Sequence, residues 1–291
     1  MNYRHVYHAG NFADVLKHTV LAAVIAHLKK KPQPFRVIDT HAGAGVYDLE
    51  SAEAGKTGEW RDGIGRILAD NPPAEVAEIL APYLDVVRAE NPEIARDETL
   101  VRYPGSPLIA RRLLRPCDTL VANEPHKEEA ARLKALFAKD AAAKVLNIDG
   151  WTALKSVLPP PERRGVVLID PPFEEAGEFR RLVEALADAH RRFATGTVIL
   201  WYPAKDPRRI AAFHRDAAAR AIPKLLTTEL YVRAPLSEGT LAGSGLLILN
   251  PPYTLESTLE TLLPYLVRTL ASSKGAQFRL AWLTGERITT S

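Results

Sequence analysis

The chain has 291 residues, 46% of them hydrophobic, and no apolar run approaches the ~20 residues of a membrane span, so one large domain or one domain carrying an insertion is expected. The opening Met1–His5 lacks the apolar region of a secretory signal, and the single cysteine excludes an internal disulfide and fits a reducing cytosol. The net charge of +3 hides a division: between Asp48 and Glu98 there are thirteen acidic residues against five basic, a net of −8, and the remainder carries +11. A basic body with an acidic insert points to a polyanion-binding surface outside that insert.

The first eleven residues, among them Tyr3, Arg4, His5, Tyr7 and His8, are aromatic, basic and histidine-rich, without helical period. Asn11 then caps a helix whose first turn Asp14 supports, and Val15, Leu16, Thr19, Val20, Ala23 and Val24 repeat on one face. Lys29–Lys31 suit its C-terminus, with Pro32 just beyond. His5, His8 and His18 have neither metal-ligand spacing nor a cysteine partner, and no metal site is expected.

Phe35–Asp39 reads as the first strand and runs into Thr40-His41-Ala42-Gly43-Ala44-Gly45, a turn that lets backbone approach a ligand closely. In a Rossmann-like unit the next strand should end in an acidic residue ~20 positions on. It comes instead at Asp118–Glu124, preceded by a helix with Ser106 as N-cap and Pro107 in its first turn. Residues 47–103 are therefore an expected insertion, cut by Pro72, Pro73, Pro82 and Pro92 into short helices such as Ala74–Leu80. Gly55-Lys56-Thr57 is no phosphate loop, because that pattern needs glycine at position 50, which is glutamate. A helix at Ala130–Phe137 and a strand at Lys144–Ile148 follow, ending in Asp149-Gly150.

The next strand, Val166–Ile169, is apolar on both faces and closes on Asp170-Pro171-Pro172-Phe173. Neither proline can donate a hydrogen bond, so Asp170 and the Pro171 carbonyl are held as acceptors beside the Phe173 ring. Two acceptors and a ring suit a planar group bearing an amine, such as adenine. A helix at Glu178–Phe193, a strand at Thr197–Tyr202, a late strand pair at Leu225–Val232 and Gly245–Leu249, and a helix at Glu256–Leu270 complete the reading.

Four glycine-rich or acidic strand ends thus occur in chain order, all expected along the carboxyl edge of one open sheet. Asp/Asn-Pro-Pro-aromatic and this order resemble the S-adenosylmethionine-dependent methyltransferases of exocyclic amines, which implies a Rossmann-like α/β sheet of seven strands. The arm from Tyr3 to His18 and the blocks Asp39–Gly45, Tyr103–Pro107 and Ile169–Phe173 are similar to the bacterial 23S rRNA adenine-N6 methyltransferases of the RlmJ family. The similarity runs nearly end to end. It implies m6A formation on naked or partly assembled 23S rRNA by a cytoplasmic, monomeric enzyme, with a methyltransferase domain at 1–46 and 104–291, a helical subdomain at 47–103 and residues 1–12 as a lid. The resemblance assigns cofactor contacts to Lys17, His18, His41, Gly43, Ser106, Glu124, Asp149, Gly150 and Asp170. Within that set the glycine turn would receive the methionine moiety, Glu124 the ribose and Asp149 the adenine amine. Asp170, Pro171 and Phe173 would hold a flipped-out target base, with Tyr3 near it.

Two internal rivals are weaker. Asn250-Pro251-Pro252-Tyr253 repeats the pattern too late in the strand order, and Pro116-Cys117 precedes the second strand, where a small buried hydrophobe is expected. Arg4, Lys29–Lys31, Arg111, Arg112, Arg115, Lys205, Arg208 and Arg209 are candidates for phosphate contact. The alternatives are a DNA adenine-N6 methyltransferase and a non-catalytic S-adenosylmethionine- or RNA-binding protein; a nicotinamide-dependent dehydrogenase lacks its three-glycine fingerprint.

Overall fold

Short aliphatic strands that present a different core from each face build the centre of the molecule. The computed structural model describes residues 5–92, 100–175, 177–234 and 241–285. Five parallel strands stand side by side in the order β5 (Ala143–Leu146), β4 (Thr119–Asn123), β1 (Arg36–Asp39), β6 (Gly165–Ile169) and β7 (Thr197–Pro203). Three antiparallel neighbours extend the sheet past β7: β9 (Gly243–Leu249), β8 (Leu225–Tyr231) and β10 (Gln277–Thr284). The α/β class and the mostly parallel sheet agree with the expectation; among the described residues this sheet has eight strands, not seven. β10 is an edge strand with Phe278 and Trp282 still 38% and 42% exposed, so it lacks the buried pattern that marks the others.

Side chains alternate across the strands. Val37, Leu120, Val166 and Leu168 join one core cluster, whereas Ile38, Val121, Val167 and Ile169 join the other. The first face is covered by α1 (Phe12–Lys29), α6 (Ser106–Leu113) and α11 (Leu255–Leu270), the second by α8 (Gly150–Val157), α9 (Glu178–Arg192) and α10 (Pro207–Ala218). α7 (Lys127–Leu136) links β4 to β5. Asn11 caps α1 as expected, its Oδ1 accepting from the Ala13 and Asp14 amides. Lys17 near the start of α1 reaches Asp170 after β6, and the Leu28 carbonyl near its end accepts from Arg164 before β6. α1 therefore runs antiparallel to β6 across the whole sheet.

A short antiparallel pair, β2 (Val46–Asp48) and β3 (Arg102–Pro104), brackets the helices α2 (Ala52–Thr57), α3 (Glu59–Asp62), α4 (Ile64–Ala69) and α5 (Ala74–Ala89). Pro82 does not end a helix. α5 continues through it, because the face of Val76, Leu80, Tyr83, Leu84 and Val87 is buried against the rest of the molecule, and packing outweighs the lost backbone bond. Cys117 is likewise not the buried hydrophobe expected: it is exposed.

Candidate active site

β1 and β6 are adjacent and parallel, so the turns after them open on the same sheet edge, where ligands bind in open α/β folds. In the turn after β1, Gly43 has φ +62, and a β-carbon there would meet the Tyr47 hydroxyl at 2.0 Å. Conformation and space both require glycine. Its N–H donates to Glu124 Oε2 at 2.7 Å, and the His126 N–H donates to Oε1 at 2.7 Å. Burial raises the Glu124 pKa in spite of these two bonds.

After β6, Asp170 Oδ2 accepts from the Lys17 ammonium, which also bonds Asp14 Oδ1 at 2.8 Å. Asp14 Oδ2 in turn meets His5 Nε2 at 2.9 Å. Burial alone would lower the Lys17 pKa, but the carboxylates of Asp14 and Asp170 outweigh it and raise it. Asp14 is held well below the carboxylate range, because His5, Lys17 and His18 outweigh its burial. Asp39, at the end of β1, accepts from the Ser106 hydroxyl at 2.6 Å; burial still pushes its carboxyl up to about 7, with Asp170 adding to the effect. Ser106 is thus not the N-cap of α6, a position Gly105 occupies.

Two clefts meet at this point. The first, about 600 Å³, is lined by His18, His41, Gly43, Ser106 and Glu124 among others. The second, about 710 Å³, is lined by Phe173, Trp201, Pro203 and Lys205 among others. His5, Lys17, Asp170 and Pro172 border both. Phe173 adopts φ +52, a left-handed conformation that costs a non-glycine residue about 1–3 kcal/mol. It is held there by edge-on packing against Phe179 and Trp201, with ring centroids 5.1 and 5.7 Å away. The Trp201 ring is fixed by a 2.9 Å bond from its Nε1 to Ser244 Oγ.

Of the expected cofactor residues, Lys17, His18, His41, Gly43, Ser106, Glu124 and Asp170 line the first cleft together. Asp149 does not: it is exposed, and its Oδ1 caps α8 by accepting from Thr152 N at 2.8 Å. Gly150 lies under the imidazole of His41, where a β-carbon would come within 2.3 Å of Nε2. Phe173 lines the second cleft only, Pro171 lines neither, and Tyr3 lies outside the described residues. The three histidines of the opening segment go to separate partners: His5 to Asp14, His8 to Glu59 and His18 to Tyr103. The rival Asn250 follows β9, which is antiparallel to β7, and so it emerges at the opposite sheet edge. There it bonds the Thr195 carbonyl at 3.0 Å while Tyr253 stays 85% exposed.

A family model described as ribosomal RNA large subunit methyltransferase D, RlmJ, matches residues 32–284. The chain belongs to the RlmJ family. The ribosomal RNA large subunit methyltransferase J of Escherichia coli K12 is 42% identical over 98% of this chain and 100% of its own length. The protein of the same name from Haemophilus influenzae is 38% identical over the same shares. The solved structure of protein LPL1258 from Legionella pneumophila superposes with a TM-score of 0.84 at 33% identity, covering 96% of this chain and 99% of that one. Like its RlmJ relatives, the chain is a methyltransferase. Sequence pattern did not single out Asp14, Asp39 or Trp201 as contributors to this candidate site. Asp14 read only as a first-turn acid, although its spacing from Lys17 gave one available signal, because i and i+3 share a helix face.

Proposed function

We propose that the protein transfers a methyl group from S-adenosylmethionine to the N6 amine of an adenine in 23S rRNA. The observation that carries this reading is the meeting of two clefts at Asp170, one behind the glycine turn and one walled by aromatic rings, in a chain of the RlmJ family. The first cleft fits an S-adenosyl group. Glu124 keeps lone pairs for ribose hydroxyls beside its two amide bonds, and His18 Nε2 is a buried nitrogen without a hydrogen-bond partner. Asp149, near His41, is the group to take the adenine amine.

The cofactor supplies a sulfonium methyl that is already activated, so the chain's work is alignment. Lys17 holds Asp170 through Oδ2, which leaves Oδ1 to accept from the target amine together with the Pro171 carbonyl. Those bonds draw the nitrogen lone pair out of ring conjugation and stabilise the positive charge that develops on it. Asp170 then takes the surplus proton. The flipped base packs against the aromatic wall that Phe173 and Trp201 form together, with Lys205 at the rim for a flanking phosphate. Residues 47–103 act as a subdomain inserted into the methyltransferase domain, residues 1–12 as a lid carrying Tyr3, and the protein works as a monomer in the cytoplasm. Incubation with labelled S-adenosylmethionine and unmodified 23S rRNA, followed by nucleoside mass spectrometry, should yield N6-methyladenosine. Absence of transfer to 23S rRNA, or equally efficient transfer to duplex DNA, would overturn the reading.

A further inference from the structure

His18, Tyr103 and Tyr83 form a buried chain that leads from the first cleft into the helices between β2 and β3. His18 Nδ1 lies 2.7 Å from the Tyr103 hydroxyl, which lies 2.9 Å from the Tyr83 hydroxyl. None of the three residues is more than 1% exposed. Tyr103 stacks on the imidazole at 5.8 Å and 25°, and Tyr83 meets it edge-on at 6.0 Å. Burial holds His18 neutral, with its pKa down to about 3 in spite of Asp14, so its ring carries one N–H that sits on either nitrogen.

The hydrogen-bond chain can run in two directions, and they are not equivalent. If Nδ1 carries the proton, it donates to Tyr103, Tyr103 donates to Tyr83, and the Tyr83 hydroxyl hydrogen is buried with no acceptor among the described residues. The Nε2 lone pair would then lie 3.9 Å from Asp14 Oδ1, negative against negative. If Nε2 carries the proton, Tyr83 donates to Tyr103, Tyr103 donates to Nδ1, and every hydroxyl hydrogen is used. The Nε2–H then lies near the Asp14 carboxylate, where it is attracted. A buried donor left without an acceptor is expensive, so the second arrangement wins.

We propose that Tyr83 and Tyr103 fix His18 as the Nε2–H tautomer, making it a hydrogen-bond donor to the carboxylate at the methionine end of the cofactor. The inference rests on the S-adenosylmethionine reading of the first cleft. His18 lines the first cleft, its buried Nε2 has no hydrogen-bond partner, and a buried N–H needs an acceptor; the carboxylate is the anionic group of that ligand. The ammonium is excluded because it is itself a donor. Tyr83 belongs to α5, so the helices between β2 and β3 contribute a positioning residue to the cofactor site.

The test uses the full-length protein and its Tyr103→Phe and Tyr83→Phe variants, which keep the rings and delete one oxygen each. Imidazole ¹⁵N shifts report the His18 tautomer directly, and calorimetry compares S-adenosylhomocysteine with 5′-methylthioadenosine, which lacks the carboxylate. The wild type should show Nε2–H. Tyr103→Phe should mix the tautomers and weaken S-adenosylhomocysteine by roughly tenfold with methylthioadenosine unchanged, and Tyr83→Phe should do the same to a smaller extent. An Nδ1–H wild type that binds S-adenosylhomocysteine, or equal losses for both ligands, overturns the inference alone. A wild type that binds neither ligand overturns the cofactor reading and the assigned acceptor with it.

Discussion

At the scale of residues, the site is organised by one buried ammonium between two carboxylates. Removing Lys17 leaves Asp170 without its cation and Asp14 with His5 and the Gly10 amide, whereas removing Asp170 leaves the Asp14–Lys17 pair intact. Lys17→Met should therefore cost about 3–5 kcal/mol in urea unfolding, the usual cost of an uncompensated buried charge, and Asp170→Ala clearly less. In methyl-transfer assays Asp170→Ala should be inactive while S-adenosylhomocysteine binding weakens far less, since the carboxylate acts mainly on the amine in the transition state. Near-normal turnover in that variant would sink the catalytic assignment. Asp39 gives a pH signature of opposite sign to its histidine neighbours. Its folded carboxyl titrates at about 7 against an unfolded ~4, so its contribution to stability is complete below ~4 and lost as pH rises through 7. Burial holds His18 and His41 down to about 3 and about 4, so their contributions are present above ~6.5 and are lost as pH falls. Asp39→Asn removes only the first contribution. The stability advantage of wild type over this variant should be larger at about pH 4.5 than at about pH 8, and a pH-independent difference would show that Asp39 is not neutral in the fold.

At the scale of elements, α1 separates two groups of lysines that look equivalent in the sequence. Its 18 residues span about 27 Å, with Lys17 at the catalytic edge and Lys29–Lys31 exposed towards the other. The turn after β7 behaves differently. β7 is parallel to β6, so Lys205, Arg208 and Arg209 emerge beside the second cleft, where Lys205 forms part of the wall. For a short RNA stem that carries the target adenine, neutralising Lys205, Arg208 and Arg209 together should lower the salt slope of binding by roughly 2–3. Neutralising Lys29–Lys31 should leave it unchanged, and fluorescence anisotropy across a salt series measures both. The reverse result would move the RNA to the amino edge of the sheet.

At the scale of the whole molecule, the acidic stretch is bound to the basic body by charge as well as by packing. Arg112 pairs with Glu90 at 2.7 Å, and Arg268 approaches Asp70 at 3.6 Å. Ile64, Ile67, Leu80 and Tyr83 belong to the same core cluster as α1 and α11. Part of the acidic surplus is therefore spent on holding the stretch in place. The exposed cations beside the clefts remain available to a polyanion.

Local pattern was sufficient for the parallel strands, the glycine turn and the Asp170–Phe173 corner. Buried runs, caps and proline geometry are encoded within a few residues of where they act. Strand order along the chain then brought His41, Gly43, Glu124 and Asp170 to one cleft, because every parallel strand delivers its last residue to the same edge, whereas Lys17, His18 and Ser106 lie on helices and were legible only through the family resemblance. Contacts between distant positions were invisible: 153 residues separate Lys17 from Asp170, and 85 separate His18 from Tyr103. Strand direction was equally undetermined by composition, so two near-identical motifs ended on opposite edges when β9 paired antiparallel to β7. Asp149 reads as a ligand from its strand end, yet α8 claims one of its oxygens as a cap. These outcomes depend on which surfaces bury one another, and that was decided only when the chain had closed its two cores around the sheet.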